Sequence, residues 1–379
     1  MKSVVALVAV VLIFIVLTDA FETIVLPRRV ARRFRLTRFY YRITWISWSG
    51  VVGRISSAKQ RETYFGFFGP LSLIILLCVW AGVLIVGFGL LHWAIRTPLQ
   101  TSQESIGFGA YVYFSGTTFF TLGYGDVTPV AALGRALAVI EAGIGFGFLA
   151  LVIGYVPVIY QAFSRRESTI SLLDARAGSP PTAAELLRRH AHYMTELDQL
   201  LRDWERWSAE LMESHISYPL LCYYRSQHNN QSWLAALTAV LDACALVATG
   251  VDGASRRQAQ LTFAMARHAV VDLAQIFNTP PRAPVPDRLP PEELLRLRAS
   301  LAPAGVLLKG GRGADLELAE LRQRYEPYVN ALADYLYVQL PPWVPSTTAF
   351  DNWQTSAWER ISAGVVSAPS SPIEDGQHL

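Results

Sequence analysis

The chain has 379 residues, with 33 Lys and Arg against 30 Asp and Glu, which gives a formal net charge of +3. Charged residues make up 17%, below the ~25% of a soluble domain, so the composition excludes a disordered chain or a simple cytosolic protein. Residues 1–163 carry 13 basic and 6 acidic residues, and residues 164–379 carry 20 and 24. Because the long apolar runs lie in the first part, the sequence predicts a membrane domain followed by a soluble one.

The first apolar run covers residues 4–17 and reaches residue 26 only if Asp19 and Glu22 are accepted within it. It is compatible with a cleaved signal peptide, with Lys2 as its basic end and Ala20 near the cleavage point. However, residues 27–67 carry ten Arg and Lys and one acid, Glu62, and such a loop stays on the cytoplasmic side. This favours a retained N-terminal transmembrane helix over 1–26, and both possibilities remain open.

Two further runs are long enough for the ~20 apolar residues that a membrane span needs. Residues 70–95 contain no charge, and residues 134–160 contain only Arg135 and Glu141. With the Arg-rich segment inside, the chain runs outward through 70–95 and returns through 134–160. The sequence therefore predicts a multi-pass protein of the cell membrane with an external N-terminus and a cytoplasmic C-terminal domain.

The Arg-rich segment 27–67 permits two interpretations. Arg29, Arg32, Arg35 and Arg38 recur at every third residue, as in a voltage-sensing helix. Such a sensor needs companion helices with counter-charges, and only one span precedes it. An interfacial amphipathic helix fits better, with its cations on anionic lipid headgroups. Its apolar face would carry Val30, Phe34, Tyr41, Trp45, Trp48 and Val52, and another face Arg28, Arg32, Arg35 and Arg42.

Between the two strong spans lies an aromatic-rich stretch, Phe108–Phe119, followed by Thr121-Leu122-Gly123-Tyr124-Gly125-Asp126. The stretch predicts a pore helix whose carbonyl end favours cations. Non-helical backbone survives at membrane depth only when it is buried in protein or lines a water-filled path. Alternating glycines tolerate the positive φ that aims neighbouring carbonyls to one side, and a ring of such carbonyls can replace the water around a cation.

This segment closely resembles the selectivity filter of potassium channels, in which two core helices surround a pore loop. The resemblance covers residues 70–164 and is typical of a prokaryotic member. It implies K⁺ coordination by oxygens of Thr121, Leu122, Gly123 and Tyr124, with Gly125 closing the outer mouth and Asp126 beside it. It also implies a homotetramer, because one loop per chain cannot close a ring.

Five positions depart from the family pattern. Leu122 replaces the usual Val, and Phe120 lies at a position where the family often has Thr. Tyr113 and Phe114 replace two Trp that help to hold the filter tyrosine, and Thr117 replaces an acid that would partner Asp126. We expect these changes to affect the stability of the filter more than its identity.

Three residues of the inner helix are candidates for gating or cavity roles: Glu141, Gly145 and Pro157. An ionisable residue within a span is a functional candidate, and Glu141 either faces the cavity or accepts hydrogen bonds from Thr117 or Thr118 and braces the pore helix. Gly145 stands at the family's hinge position, although small residues also allow close helix packing. Pro157 is expected to kink the cytoplasmic end.

The remaining chain predicts a helical domain over 165–345 and a disordered tail over 346–379. Its helices are expected over 182–212, 216–226, 232–249, 255–277, 291–301 and 315–339. Residues 233–249 are nearly apolar, but their Ala-rich composition and central Asp242 favour a buried core helix over a fourth span. Residues 309–313 do not form a dinucleotide-binding fingerprint. His190, His192, His215, His228 and His268 are too scattered for a metal site.

The sequence therefore predicts an all-α membrane protein: N-terminal span, interfacial helix, a 68–164 pore domain with outer helix, pore helix, filter and inner helix, then the helical cytoplasmic domain. Its expected function is passive, K⁺-selective conduction, without enzymatic activity, cofactor or nucleic acid. A weakly selective cation channel, and a membrane-anchored sensor whose soluble domain does the work, remain alternatives. A transporter subunit built from four fused repeats is disfavoured, since only one repeat is present.

Overall fold

The computed structural model describes residues 2–26, 35–101, 106–226 and 231–345. The chain divides into two compact units, Met1–Gln161 and Ala162–Leu379, close to the predicted boundary at residues 164 and 165. The fold is nearly all-α, as predicted. The predicted disordered tail over 346–379 and His228 lie outside the described residues.

Among the described residues, the first unit contains four α-helices and the beginning of a fifth: α1 (Lys2–Ala20), α2 (Leu36–Val52), α3 (Ala58–Ala94), α4 (Phe108–Phe119) and α5 (Ala132–Ala177). By length and composition, α1, α3 and α5 can each cross a membrane. Helix α3 begins at Ala58 rather than at the predicted residue 70, because Ser57 accepts a hydrogen bond from the Gln60 amide and caps it. Pro70 therefore lies inside the helix.

Helix α1 packs along α3, and its C-terminal end carries a buried carboxylate. Asp19 is 4% exposed. It accepts hydrogen bonds from the Thr37 amide at 3.2 Å, the Thr37 hydroxyl at 2.5 Å and the Trp80 indole N–H at 3.1 Å. A buried charge is tolerated only when donors satisfy it. Asp19 therefore joins the end of α1, the first turn of α2 and the middle of α3.

Helix α2 has one buried face and one exposed face. The buried residues are Thr37, Tyr41, Trp45, Ser49 and Val52. Trp45 packs against Phe65 and Phe68 of α3, with ring centroids 5.6 and 4.8 Å apart, so part of the aromatic face covers protein. Four residues of the predicted faces, Arg28, Val30, Arg32 and Phe34, lie outside the described residues.

A two-stranded antiparallel sheet, absent from the prediction, is formed by the segment before the pore helix and the segment after its loop. Strand β1 (Leu99–Thr101) pairs with β2 (Val127–Pro129), with Gln100 opposite Thr128. Arg135 Nε donates to the Pro129 carbonyl at 3.1 Å. The hairpin thereby brings the chain before α4 next to the chain after the glycine-rich loop.

Within its described part, the second unit contains the rest of α5 and seven further α-helices: α6 (Ala183–Arg189), α7 (Met194–Ser217), α8 (Trp233–Gly250), α9 (Arg256–Phe277), α10 (Pro291–Leu301), α11 (Arg312–Gln323) and α12 (Glu326–Leu336). Three predicted helices were wrong in extent. The 182–212 helix breaks after Arg189. Residues 216–226 contain the last two residues of α7 and a short 3₁₀ helix, Pro219–Tyr223, with a proline at its start. The 315–339 helix divides at Tyr325, where Pro327 begins a new first turn.

Helix α8 is the core of this unit, as its composition predicted. It is apolar enough for a span, but every residue from Trp233 to Thr249 is buried among the other helices. Asp242 in its centre receives the Arg288 guanidinium at 2.7 Å and the Tyr325 hydroxyl. These partners satisfy its charge, so the helix is adapted to a protein interior rather than to lipid.

A second buried polar group ties the continuation of α5 to α7. Arg166 is 4% exposed and donates to the carbonyls of Leu221 and Tyr224, both at 2.8 Å, and to His215 at 3.2 Å. Burial, and then the adjacent guanidinium, hold the pKa of His215 well below its usual range. The imidazole is therefore neutral and can accept the hydrogen bond.

Candidate ion-conduction site

The pore helix α4 has the predicted bounds and leads directly into the glycine-rich loop. The Leu122 amide donates to the Thr117 carbonyl at 2.8 Å, and the Thr121 amide donates to the Thr118 carbonyl at 3.0 Å. These bonds use carbonyls that a helix end otherwise leaves unpaired. The loop therefore starts from a fixed position on the last turn of the helix.

The backbone of the loop alternates in handedness. Thr121, Gly123 and Gly125 have φ of +56°, +57° and +77°, whereas Leu122 and Tyr124 between them are not in the positive-φ region. Alternation of this kind turns successive carbonyls toward one side of the strand, a geometry that glycine adopts at little cost. Thr121 is not a glycine, so its positive φ strains the backbone, and strain of this kind is common at functional sites.

The loop is exposed within the single chain. Leu122 is 54% and Tyr124 68% exposed, although both side chains are large and apolar or aromatic. Residues 120–126 form a continuous exposed stretch. Exposed apolar surface of this kind indicates contact with lipid or with further protein.

Asp126 has a partner that the sequence did not reveal. Tyr113 Oη donates to Asp126 Oδ2 at 2.9 Å, and the Val127 amide donates to Oδ1 at 3.1 Å. Thr117, which replaces the acid expected there, instead donates to the Phe114 carbonyl of its own helix. The loop is therefore tied to the pore helix through Tyr113, at one of the two positions where the family has Trp.

Glu141 lies fully buried against the pore helix, at 0% exposure in the chain. Its hydrogen-bond partner is Ser115, rather than Thr117 or Thr118 as expected. The reason is helical geometry: Ser115 is on the buried face of α4 together with Tyr111 and Phe114. His92 of α3 faces the other carboxyl oxygen at 3.8 Å.

Gly145 is in contact with the end of the pore helix. A Cβ on Gly145 would lie 1.9 Å from the Phe119 carbonyl oxygen, whereas one on Gly143 or Gly147 would meet nothing within 4 Å. Close packing therefore requires a glycine at 145 and not at its neighbours. Helix α5 continues through Pro157, which lies inside it.

Sequence reasoning did not identify His92 or Ser115. A lone histidine in a span and a serine in a pore helix are weak signals by themselves. The ionisable side chain of Glu141 is the available indication, because a carboxyl group within a span requires polar neighbours. Within the described residues, no three His, Cys, Asp or Glu side chains come together as a metal site.

Comparisons with known proteins locate an ion-channel domain on this part of the chain. Residues 73–161 match the family model described as an ion channel. A membrane protein of Bacillus subtilis, YdjJ, whose function is uncharacterized, is 24% identical over 242 residues, which covers 62% of this chain and 69% of that protein. The protein LctB of Geobacillus stearothermophilus is 31% identical over 84 residues, covering 20% of this chain and 62% of its own length.

No solved structure matches the chain. The family match over residues 73–161 and the apolar helices together support a membrane protein that conducts ions. The match ends at residue 161, so it gives no function to the second unit.

Proposed function

We propose that this protein is a potassium-selective channel that conducts K⁺ passively through a homotetrameric pore. The observation that carries the proposal is the alternation of φ at Thr121, Gly123 and Gly125. It supports a strand whose carbonyls from Thr121 to Tyr124 replace the hydration shell of K⁺. The exposure of Leu122 and Tyr124 supports the same proposal, since three further copies would cover this surface.

The proposal includes the orientation of the chain. The cationic segment 27–67 favours a cytoplasmic location for that segment and for the second unit, in the cell membrane. Anionic lipid headgroups are the proposed partners of its Arg residues, among them Arg38 and Arg42 on α2. No resident cofactor is proposed; K⁺ is the transported ion.

The test is ion flux in liposomes that contain the purified protein. We expect uptake of K⁺ and Rb⁺ and strong rejection of Na⁺. Gly123→Ala should abolish selective flux, because a residue with Cβ at a φ of +57° strains the backbone by about 1–2 kcal/mol. Gly109→Ala is the matched control, since its Cβ would meet nothing within 4 Å on the pore helix.

Two results would contradict the proposal in different ways. Equal permeation of Na⁺ and K⁺ would favour the weakly selective cation channel. That alternative rests on Tyr113 and Phe114, which replace two Trp that help to hold the filter tyrosine in the family. Normal selectivity in Gly123→Ala would show that the filter lies elsewhere.

A further inference from the structure

Three polar side chains meet behind the pore helix: His92 of α3, Ser115 of α4 and Glu141 of α5. Each is 0% exposed. Polar groups so enclosed within membrane helices are costly unless hydrogen bonds satisfy them. The arrangement of their hydrogen atoms therefore determines how the three helices are held together.

Ser115 is the residue that decides this arrangement. Its hydroxyl oxygen lies 2.7 Å from the Ile85 carbonyl oxygen of α3 and within hydrogen-bond distance of Glu141 Oε1. Each short oxygen–oxygen contact needs a hydrogen, but a serine hydroxyl has only one to donate. The Ile85 carbonyl has none, so when Ser115 donates its hydrogen to Ile85, a full hydrogen bond to Glu141 takes its hydrogen from the Glu141 carboxyl group.

His92 lies on the other side of the Glu141 carboxyl group. Its Nδ1 lies 3.0 Å from Thr97 Oγ1, and its Nε2 faces Glu141 Oε2 at 3.8 Å. In the described residues, neither Nε2 nor Oε2 has a hydrogen-bond partner. A neutral imidazole that accepts from Thr97 and carries its proton on Nε2 directs that proton toward Glu141 Oε2.

We propose that Glu141 is a neutral carboxylic acid that donates to Ser115, and that Glu141, Ser115 and His92 are positioning residues for the ion-conducting loop. If Glu141 were a carboxylate, the Ser115 hydroxyl would have one hydrogen for two contacts, those with the Ile85 carbonyl and with Glu141. The effect on conduction rests on the proposed function, whereas the protonation of Glu141 does not.

The cluster acts on the loop through the pore helix. Ser115 is bonded to α3 and α5 at once, and the same helix delivers Thr121 through the amide–carbonyl bonds to Thr117 and Thr118. A rotation or shift of α4 would therefore change the direction of the loop carbonyls. The buried acid fixes that helix without placing a charge in the span.

Glu141→Gln and Glu141→Ala separate the neutral acid from a carboxylate. Glutamine retains the pattern, because its amide N–H can donate to Ser115 and its carbonyl can accept from His92. We expect K⁺ over Na⁺ permeability and open times within about twofold of the parent for Gln. For Ala we expect open times about tenfold shorter, because a tenfold change corresponds to the free energy of one lost buried hydrogen bond. Thr117→Ala is the control, because in the part of the chain that the structure describes this hydroxyl donates to the Phe114 carbonyl of its own helix.

An infrared difference spectrum of the full protein, parent minus Glu141→Gln, gives a readout that a packing role alone would not produce. The proposal predicts the carbonyl stretch of a protonated carboxylic acid in the parent. Carboxylate bands in its place, or a conductance loss in Gln that grows at low salt, would overturn it and restore the charged cavity ring. If the parent conducts no K⁺, the proposed function fails, but the spectrum still decides the state of Glu141.

Discussion

Gly145 is the residue at which the backbone of α5 comes closest to the end of the pore helix. A Cβ there would lie 1.9 Å from the Phe119 carbonyl oxygen, and that oxygen belongs to backbone that cannot move without moving the loop. Overpacking of this kind costs about 1–3 kcal/mol. We predict that Gly145→Ala lowers the thermal stability of the assembled channel and its K⁺ flux together.

Gly147→Ala is the matched control for Gly145→Ala, because its Cβ would meet nothing within 4 Å on the same helix. Melting followed by size-exclusion chromatography and flux in liposomes measure the two effects. If both substitutions leave melting unchanged but alter channel opening, α5 bends at its glycines and close packing is not the reason for Gly145.

At the residue scale, the sequence predicted the backbone of the loop better than the side-chain contacts that hold the loop and the pore helix in place. The positive φ at Gly123 and Gly125 follows from the glycine pattern, since glycine adopts that conformation readily. The partners of Glu141 and Asp126 were not predictable, because Ser115, His92 and Tyr113 reach them through the three-dimensional arrangement of α3, α4 and α5. Spacing along one helix does not specify contacts between helices.

Among the elements, α1 is joined to its neighbours through the acids at its C-terminal end. Asp19 accepts from Thr37 and Trp80, and Arg35 lies 3.7 Å from Glu22 just beyond the end of α1. Asp19 and Glu22, the acids that lower the hydropathy of this run, therefore have hydrogen-bond or ion-pair partners. This supports a retained transmembrane helix, in agreement with the proposed orientation.

Single cysteines test this orientation. After replacement of Cys78, Cys222 and Cys244, we predict that cysteines at Ser3 and Ser57 react with a membrane-impermeant thiol reagent from opposite sides. Both positions are exposed within the chain. Labelling from the same side, or loss of the Ser3 cysteine from the mature protein, would contradict a retained span and favour a signal peptide.

The helices that the sequence predicted well are those with strong local signals. The bounds of α4 and α10 agree with prediction, and α8 and α9 begin at serine caps, Ser232 and Ser255. The strands β1 and β2 were missed because three residues are too few for an alternating pattern. The break between α6 and α7 was missed because residues 190–193 contain neither Gly nor Pro.

For the whole molecule, the question is how many chains form the pore. Each chain offers one loop, and Leu122 and Tyr124 leave that loop exposed. The exposed large side chains of α5, such as Val139, Phe146 and Ile153, also lack cover within the chain. Four copies around one axis would bring four loops into a ring of carbonyls.

Mixing of parent and Gly123→Ala chains counts the copies. Since one distorted loop breaks the ring, only channels built entirely from parent chains should remain selective. At equal expression, random assembly of four chains leaves about one sixteenth of the channels intact, against about one quarter for a two-chain pore. We predict that K⁺-selective flux per assembled channel falls to about 6% of the parent level.

Parent chains mixed with Gly109→Ala chains control for expression and assembly, and differently tagged copies confirm that both chains enter the same channels. Residual flux of one half would mean that each chain conducts independently, which would exclude a shared ring. Residual flux of one quarter would require two filter segments per chain. This chain has one, so a quarter would also overturn the filter assignment at Thr121–Tyr124.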